Sequence, residues 1–221
     1  MTKESAAQER MGADVLGDRL RDTREAYGIS LRELARRVGV SASLISQIET
    51  GKVHPSVSTL YALATELDAS VDELLFEDAP ITTKTTGDWW DFLTEHPHMD
   101  PLQKASERQV IELDSGVRWE RLTTQSVPGI DFLYVVYQPG GESSAEDAMQ
   151  RHSGREWGYV LEGTLNLTIG FDEHVLGSGD SVAFDSTVPH RLHNEGTEEV
   201  RAIWYVLGWK SGRPTADAQD Q

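Results

Sequence analysis

Leu31-Arg-Glu-Leu-Ala-Arg-Arg-Val-Gly-Val-Ser-Ala-Ser-Leu-Ile-Ser-Gln-Ile-Glu-Thr50 is the stretch on which the reading of this chain turns. Leu31, Leu34, Ala35 and Val38 recur at helical spacing, and Ile45 and Ile48 begin a second set. Between the sets, Gly39 tolerates the positive φ that a tight turn requires, and Ser41 is a good N-cap for a second helix. Ala35 is small enough to let two helices cross closely. Leu34, Val38, Ile45 and Ile48 then share a core, so the stretch reads as two short helices joined by a tight turn.

The same period extends outward from about Val15 to Phe76, through Leu16 and Leu20, then Leu60, Leu63, Ala64 and Leu67, then Leu74 and Leu75. Gly28, Gly39, Gly51 and Pro55 punctuate it, which predicts five short helices over 13–78. Residues 1–12 are expected to be a disordered arm. Residues 79–107 form a linker, expected to dock on the second domain through Trp89, Trp90 and Phe92. From 108 to 208 the period becomes two, with turn residues every 8 to 12 positions, the pattern of an all-β sandwich or barrel. Residues 209–221 are polar and read as a flexible tail.

With 221 residues the chain can build two modest domains. No apolar run approaches the ~20 residues that span a bilayer. The first ten residues lack an apolar signal core, so neither a membrane partner nor export is expected. The absence of cysteine excludes disulfides, thiolate zinc sites and cysteine nucleophiles, and it fits a reducing cytoplasm, the expected location. The net charge of −17 opposes general affinity for nucleic acid. Between Arg19 and His54, however, seven basic residues face four acidic ones, so that window is +3 and the rest −20. If the chain binds DNA it does so through this patch, with strong salt dependence.

The second helix of the opening stretch turns Ile45 and Ile48 inward and Ser43, Ser46 and Gln47 outward. A polar face without carboxylates suits the major groove, where glutamine pairs with adenine through two hydrogen bonds. Glu49 reads as a helix-stabilising residue. The stretch, continued through Ser46-Gln-Ile-Glu-Thr-Gly-Lys-Val-His-Pro-Ser56, resembles the phage-repressor (lambda-repressor-like, XRE-family) helix-turn-helix. That resemblance implies a double-stranded DNA operator bound by a homodimer. It places Ser41, Ala42, Ser43 and Gln47 at base edges, and Arg36, Arg37, Ser46, Lys52 and Ser58 on phosphates.

In the β half, Pro139 to Gly163 and Gly177 to Asn194 resemble the two motifs of the cupin superfamily, double-stranded β-helix (jelly-roll) barrels with a ligand or metal in the mouth. Where the family's first motif offers two histidines and then a glutamate, this chain has Gln150, His152 and Glu156, and the second motif adds His190. On a straight strand His152 and Glu156 would stand ~13 Å apart, so Ser153-Gly154 must reverse the chain if they are to meet. Two histidines and a carboxylate form a facial triad suited to a divalent ion (Fe, Zn, Mn or Ni), with Gln150 as a fourth oxygen ligand or pocket lining. The alternative is a metal-free site that hydrogen-bonds an organic effector. Trp119, Tyr134 and Trp204 would wall an effector pocket, or simply pack the core. His193 is expected to face solvent, His174 to lie near a turn, and His54, His96 and His98 to be surface residues.

The combined resemblance implies a one-component transcriptional regulator whose barrel senses a small molecule. The rival reading is a non-haem Fe(II) enzyme similar to hydroxypropylphosphonate epoxidase. It has the triad in its favour, but the only cations near the motifs to clamp a phosphonate are Arg151, Arg155 and Arg191. A metal-free storage cupin would leave the helix-turn-helix unexplained.

Overall fold

The computed structural model describes residues 3–67, 69, 71–75, 100–127, 129–146 and 148–208. The expected docking of Trp89, Trp90 and Phe92 and the tail at 209–221 lie outside the described residues, as do His96 and His98.

Five helices come first among the described residues: α1 (Lys3–Ala26), α2 (Leu31–Val38), α3 (Ala42–Glu49), α4 (Val57–Glu66) and α5 (Val71–Leu75). Helix α1 starts at Lys3, so it includes residues that the sequence reads as an arm. Serine side chains start three of the helices. Ser30, Ser41 and Ser56 accept from the amides of Glu33, Leu44 and Thr59, satisfying donors that a helix start leaves open. Gly39 closes α2 at φ 80°, its N–H bonded to the Ala35 carbonyl. Gly17 matters as much, because a methyl group there would stand 2.7 Å from the Ile48 carbonyl oxygen, and α1 could not then lie on α3.

After a 3-10 turn at Ala105–Glu107, nine strands follow among the described residues: β1 (Val110–Leu113), β2 (Val117–Arg121), β3 (Ile130–Tyr137), β4 (Arg155–Glu162), β5 (Leu165–Ile169), β6 (Asp172–Leu176), β7 (Ser181–Asp185), β8 (His190–His193) and β9 (Val200–Leu207). They form a six-stranded sheet, β1-β2-β3-β9-β4-β7, and a three-stranded sheet, β6-β5-β8, with every pairing antiparallel. Alternating burial along β2 and β9 turns one face inward, as a half-buried strand requires.

The two halves are not beads on a string. One apolar core runs from the helices into the barrel, with α1 against β1 and α5 against β3. Backbone hydrogen bonds cross the junction from Ser58 N–H to the Ser143 carbonyl at 3.0 Å and from Asp114 N–H to the Pro55 carbonyl at 3.2 Å.

Candidate functional site

The solvent face of α3 follows from its caps and core. Ile45 and Ile48 are buried against the helical core, which turns Ser41, Ser43 and Gln47 out to solvent and leaves Ala42 and Ser46 half-covered. Glu49 points inward, where its carboxylate meets Arg24 at 2.6 and 3.0 Å. Of the residues expected at phosphates, Lys52, Arg36 and Arg37 are exposed. Both arginines hold Glu33 at 2.7 to 3.0 Å, and these bonds keep its carboxyl down at about 2. Ser58 is placed differently from the others, because its backbone N–H is bonded to the barrel.

The second site lies in the barrel. Residues 150–152 approach β8, with Gln150 and His190 exchanging backbone hydrogen bonds. His152 N–H reaches the Ser186 carbonyl, and Ser186 N–H returns to Gly154. Gly154 turns the chain at φ 120°, where any Cβ would collide with the Leu207 carbonyl at 2.2 Å. That reversal brings together two side chains a straight strand would separate. His152 Nε2 lies 2.9 Å and His190 Nε2 3.0 Å from Glu156 Oε1, with all three residues buried.

The protons decide what this cluster can do. His190 Nδ1 faces the Val188 carbonyl at 2.9 Å, and His152 Nδ1 more loosely faces that of Ser153 at 3.4 Å. In neutral rings this puts the protons on Nδ1 and leaves each Nε2 as a lone pair aimed at Glu156. His152 Nε2 and Glu156 Oε1 have no hydrogen-bond partner. Three acceptors then converge with nothing between them, which two fillings relieve. One is a proton on each ring. Burial pushes the Glu156 carboxyl up, but bonds to His152 and His190 outweigh it and hold the group below the usual carboxylate range. The other is a cation, since ligand atoms ~2.1 Å from an ion and at right angles stand ~3.0 Å apart, close to the separations seen here. His152, Glu156 and His190 are the set among the described residues able to converge on one ion.

Around the triad, Gln150 Nε2 lies 3.0 Å from His190 Nε2 and its Oε1 has no partner. Trp204 donates Nε1–H to Glu156 Oε2 at 2.6 Å, so it aims the carboxylate as well as walling the pocket. Trp119 also lines the pocket. Tyr134 does not, because it occupies the other face of β3 under the Arg108 guanidinium at 5.6 Å, and Tyr137 and Tyr61 stand in the wall instead. Tyr137 follows from strand parity with Leu133 and Val135. Tyr61 belongs to α4, and no periodicity points a helical residue at a distant barrel.

Among the remaining groups, His174 lies within β6 rather than at a turn, and His193 is largely covered, with Nε2 on Glu195 at 2.9 Å. Arg151 and Arg155 are exposed, and Arg191 pairs with Glu142 at 2.6 Å, so none is turned toward the triad. No helix of the described residues is long and apolar enough to cross a membrane.

Two serine-capped helices, α2 and α3, packed across a tight glycine turn and joined to a barrel carrying two histidines and a glutamate define a helix-turn-helix protein with a cupin domain. The family models agree: "Helix-turn-helix" matches residues 20–74 and "Cupin domain" matches residues 133–206. The chain belongs to the XRE-type HTH transcriptional regulators that carry a cupin domain. It is 30% identical over 189 residues to the HTH-type transcriptional regulator PuuR of Escherichia coli (strain K12), covering 85% of this chain and 91% of that protein. A crystal structure of an HTH_3 family transcriptional regulator from Vibrio cholerae shares the fold at TM-score 0.61 and 21% identity, over 90% of this chain and 98% of that one. Hydroxypropylphosphonic acid epoxidase from S. wedmorenis aligns over 89% of this chain and 99% of that one at 20% identity, but its TM-score of 0.41 says nothing about chemistry here.

Proposed function

We propose that this regulator is a one-component sensor. A homodimer reads its operator through Ser41, Ala42, Ser43 and Gln47, with Arg36, Arg37, Ser46 and Lys52 on phosphates. The barrel binds a small-molecule effector at His152, Glu156 and His190, which together hold a divalent cation. The observation that supports the sensor most directly is the buried convergence of His152 Nε2, His190 Nε2 and Glu156 Oε1, the first and last of which have no hydrogen-bond partner. A cation bound there would supply open coordination positions for the effector, and Trp204 would keep Glu156 facing it. For the effector to regulate, it must bind the operator-competent and operator-incompetent states unequally.

Two measurements test the two halves. Gln47→Ala should weaken binding to the protein's own promoter region by about 5- to 150-fold, the equivalent of one lost bidentate base contact, while binding to random DNA stays unchanged. Equal loss on both would remove Gln47 from the reading face. Native mass spectrometry of chain purified with Fe(II), Zn(II), Mn(II) or Ni(II) should find one ion per chain, absent from His190→Ala. If no ion is retained near neutral pH, the triad is a site for organic contacts alone.

A further inference from the structure

Tyr61 sits on α4, the helix after the recognition helix, yet its ring is not enclosed by its own helical unit. It stacks face to face on His152, with centroids 4.0 Å apart and planes within 2°, and meets Trp119 edge-on at 6.0 Å. Val57, one turn earlier, lines the same cavity. The DNA-binding unit thus forms one wall of the barrel's pocket. With that wall in place the cavity is about 10 Å³, room for one water or an ion and nothing larger. Among the described residues the other walls are tied within the barrel, Leu133, Tyr137 and Trp204 by sheet hydrogen bonds and Gln150 by two backbone hydrogen bonds to His190, whereas α4 is held near its start by the Ser58 N–H, which makes α4 the wall to yield.

Resting on the reading of the triad as the sensor site, we infer that Tyr61 is its lid. An organic ligand reaches His152, Glu156 and His190 only when α4 lifts from the barrel, and α4 carries the rest of the DNA-binding unit with it. Ligand entry and release of that unit are then one event. The same movement frees the Ser58 N–H, near the start of α4, from the Ser143 carbonyl.

Diethyl pyrocarbonate, a small organic reagent for histidine, tests this on metal-free full-length chain, so the outcome does not depend on whether the triad holds an ion. The rate at each histidine is read by peptide mass spectrometry. His152 should react at least about tenfold more slowly than exposed His174, by the small fraction of time the lid is open. Tyr61→Phe, which keeps the stack, should match the wild type, whereas Tyr61→Ala should bring His152 close to the His174 rate. Once formed, the carbethoxyl group on His152 is too large for the closed cavity. Hydrogen exchange at the Ser58 and Asp114 amides, both bonded across the junction, should therefore accelerate in the modified wild type but not in modified Tyr61→Ala. An adduct that leaves both amides protected overturns the lid, as does wild-type His152 reacting as fast as His174. The modified wild type decides the matter even if Tyr61→Ala fails to fold.

Discussion

Gly158 lacks a side chain because Trp204 occupies the space one would need. The two residues are paired across β4 and β9, and a methyl at Gly158 would fall 2.1 Å from the indole ring. The same indole holds Glu156 by a 2.6 Å hydrogen bond. Gly158→Ala should displace Trp204, destabilise the fold by about 1–3 kcal/mol as overpacked sites do, and weaken ion retention by about 10- to 100-fold through loss of an outer-shell partner. Urea unfolding and metal titration check the two effects, and an unchanged midpoint would show that the indole has another place to go. Single residues are unevenly legible in the sequence. His152, Glu156 and His190 stand in a motif with fixed offsets. Trp204 and Trp119 are visible as large aromatics on inward parity, but the Trp204 hydrogen bond depends on register between strands nearly fifty residues apart. Tyr134 does not wall the pocket as expected, because its strand parity is opposite to that of Leu133, Val135 and Tyr137, which line it.

At the scale of elements, α3 is held from behind as well as capped in front. Glu49 closes on Arg24 of α1, both buried, and Arg24 also donates to the Ile29 carbonyl at 2.8 Å. Its bonds to Glu49 are the main cause of the upward shift of the Arg24 pKa. Glu49→Ala would leave the guanidinium only the Ile29 carbonyl and the exposed Glu25 carboxylate at 3.4 Å, at a cost of up to about 3–5 kcal/mol. Replacing both partners with apolar residues of similar size should recover most of that loss. Chemical denaturation of the two variants measures the difference, and a cost below about 1 kcal/mol for the single change, typical of exposed pairs, would mean that water reaches the pair. The helical period makes four apolar positions of α2 and α3 legible. Glu49 falls on the same face, four residues after Ile45, but the period within α3 carries no sign of the buried Arg24 on α1 that compensates a carboxylate there. Strand β6 escapes the sequence for a related reason: Asp172, Glu173, His174 and Val175 are all exposed at the sheet edge, so only Leu176 carries a burial signal.

For the whole molecule, what matters is how the helical unit sits on the barrel, and periodicity within one element carries no trace of that. The junction has two parts. Tyr61 and Val57 lie over the barrel mouth, and beside them is a charged cluster in which Arg121 stands 3.7 Å from Asp72 and the Asp72 N–H donates to Asp131 Oδ1 at 3.3 Å. Asp131 lies on β3 and is buried. Burial first, then the neighbouring Asp72 carboxylate, with Glu73 and Glu156 further off, pushes its carboxyl well above the usual 3.8. A carboxyl whose pKa is raised on folding stabilises the docked state fully below the unfolded value, and that contribution fades as pH rises toward the folded value. Across that window the folded chain holds a proton that the unfolded chain has released, so wild-type stability should fall by up to about 1.4 kcal/mol per pH unit on this account. Asp131→Asn keeps the oxygen that accepts from Asp72 and cannot ionise. Urea unfolding of both proteins from about pH 4.5 to 8 should therefore show the variant gaining on the wild type as pH rises. Parallel curves would mean that Arg121 or water already compensates Asp131, and that the junction does not weaken as that carboxyl loses its proton.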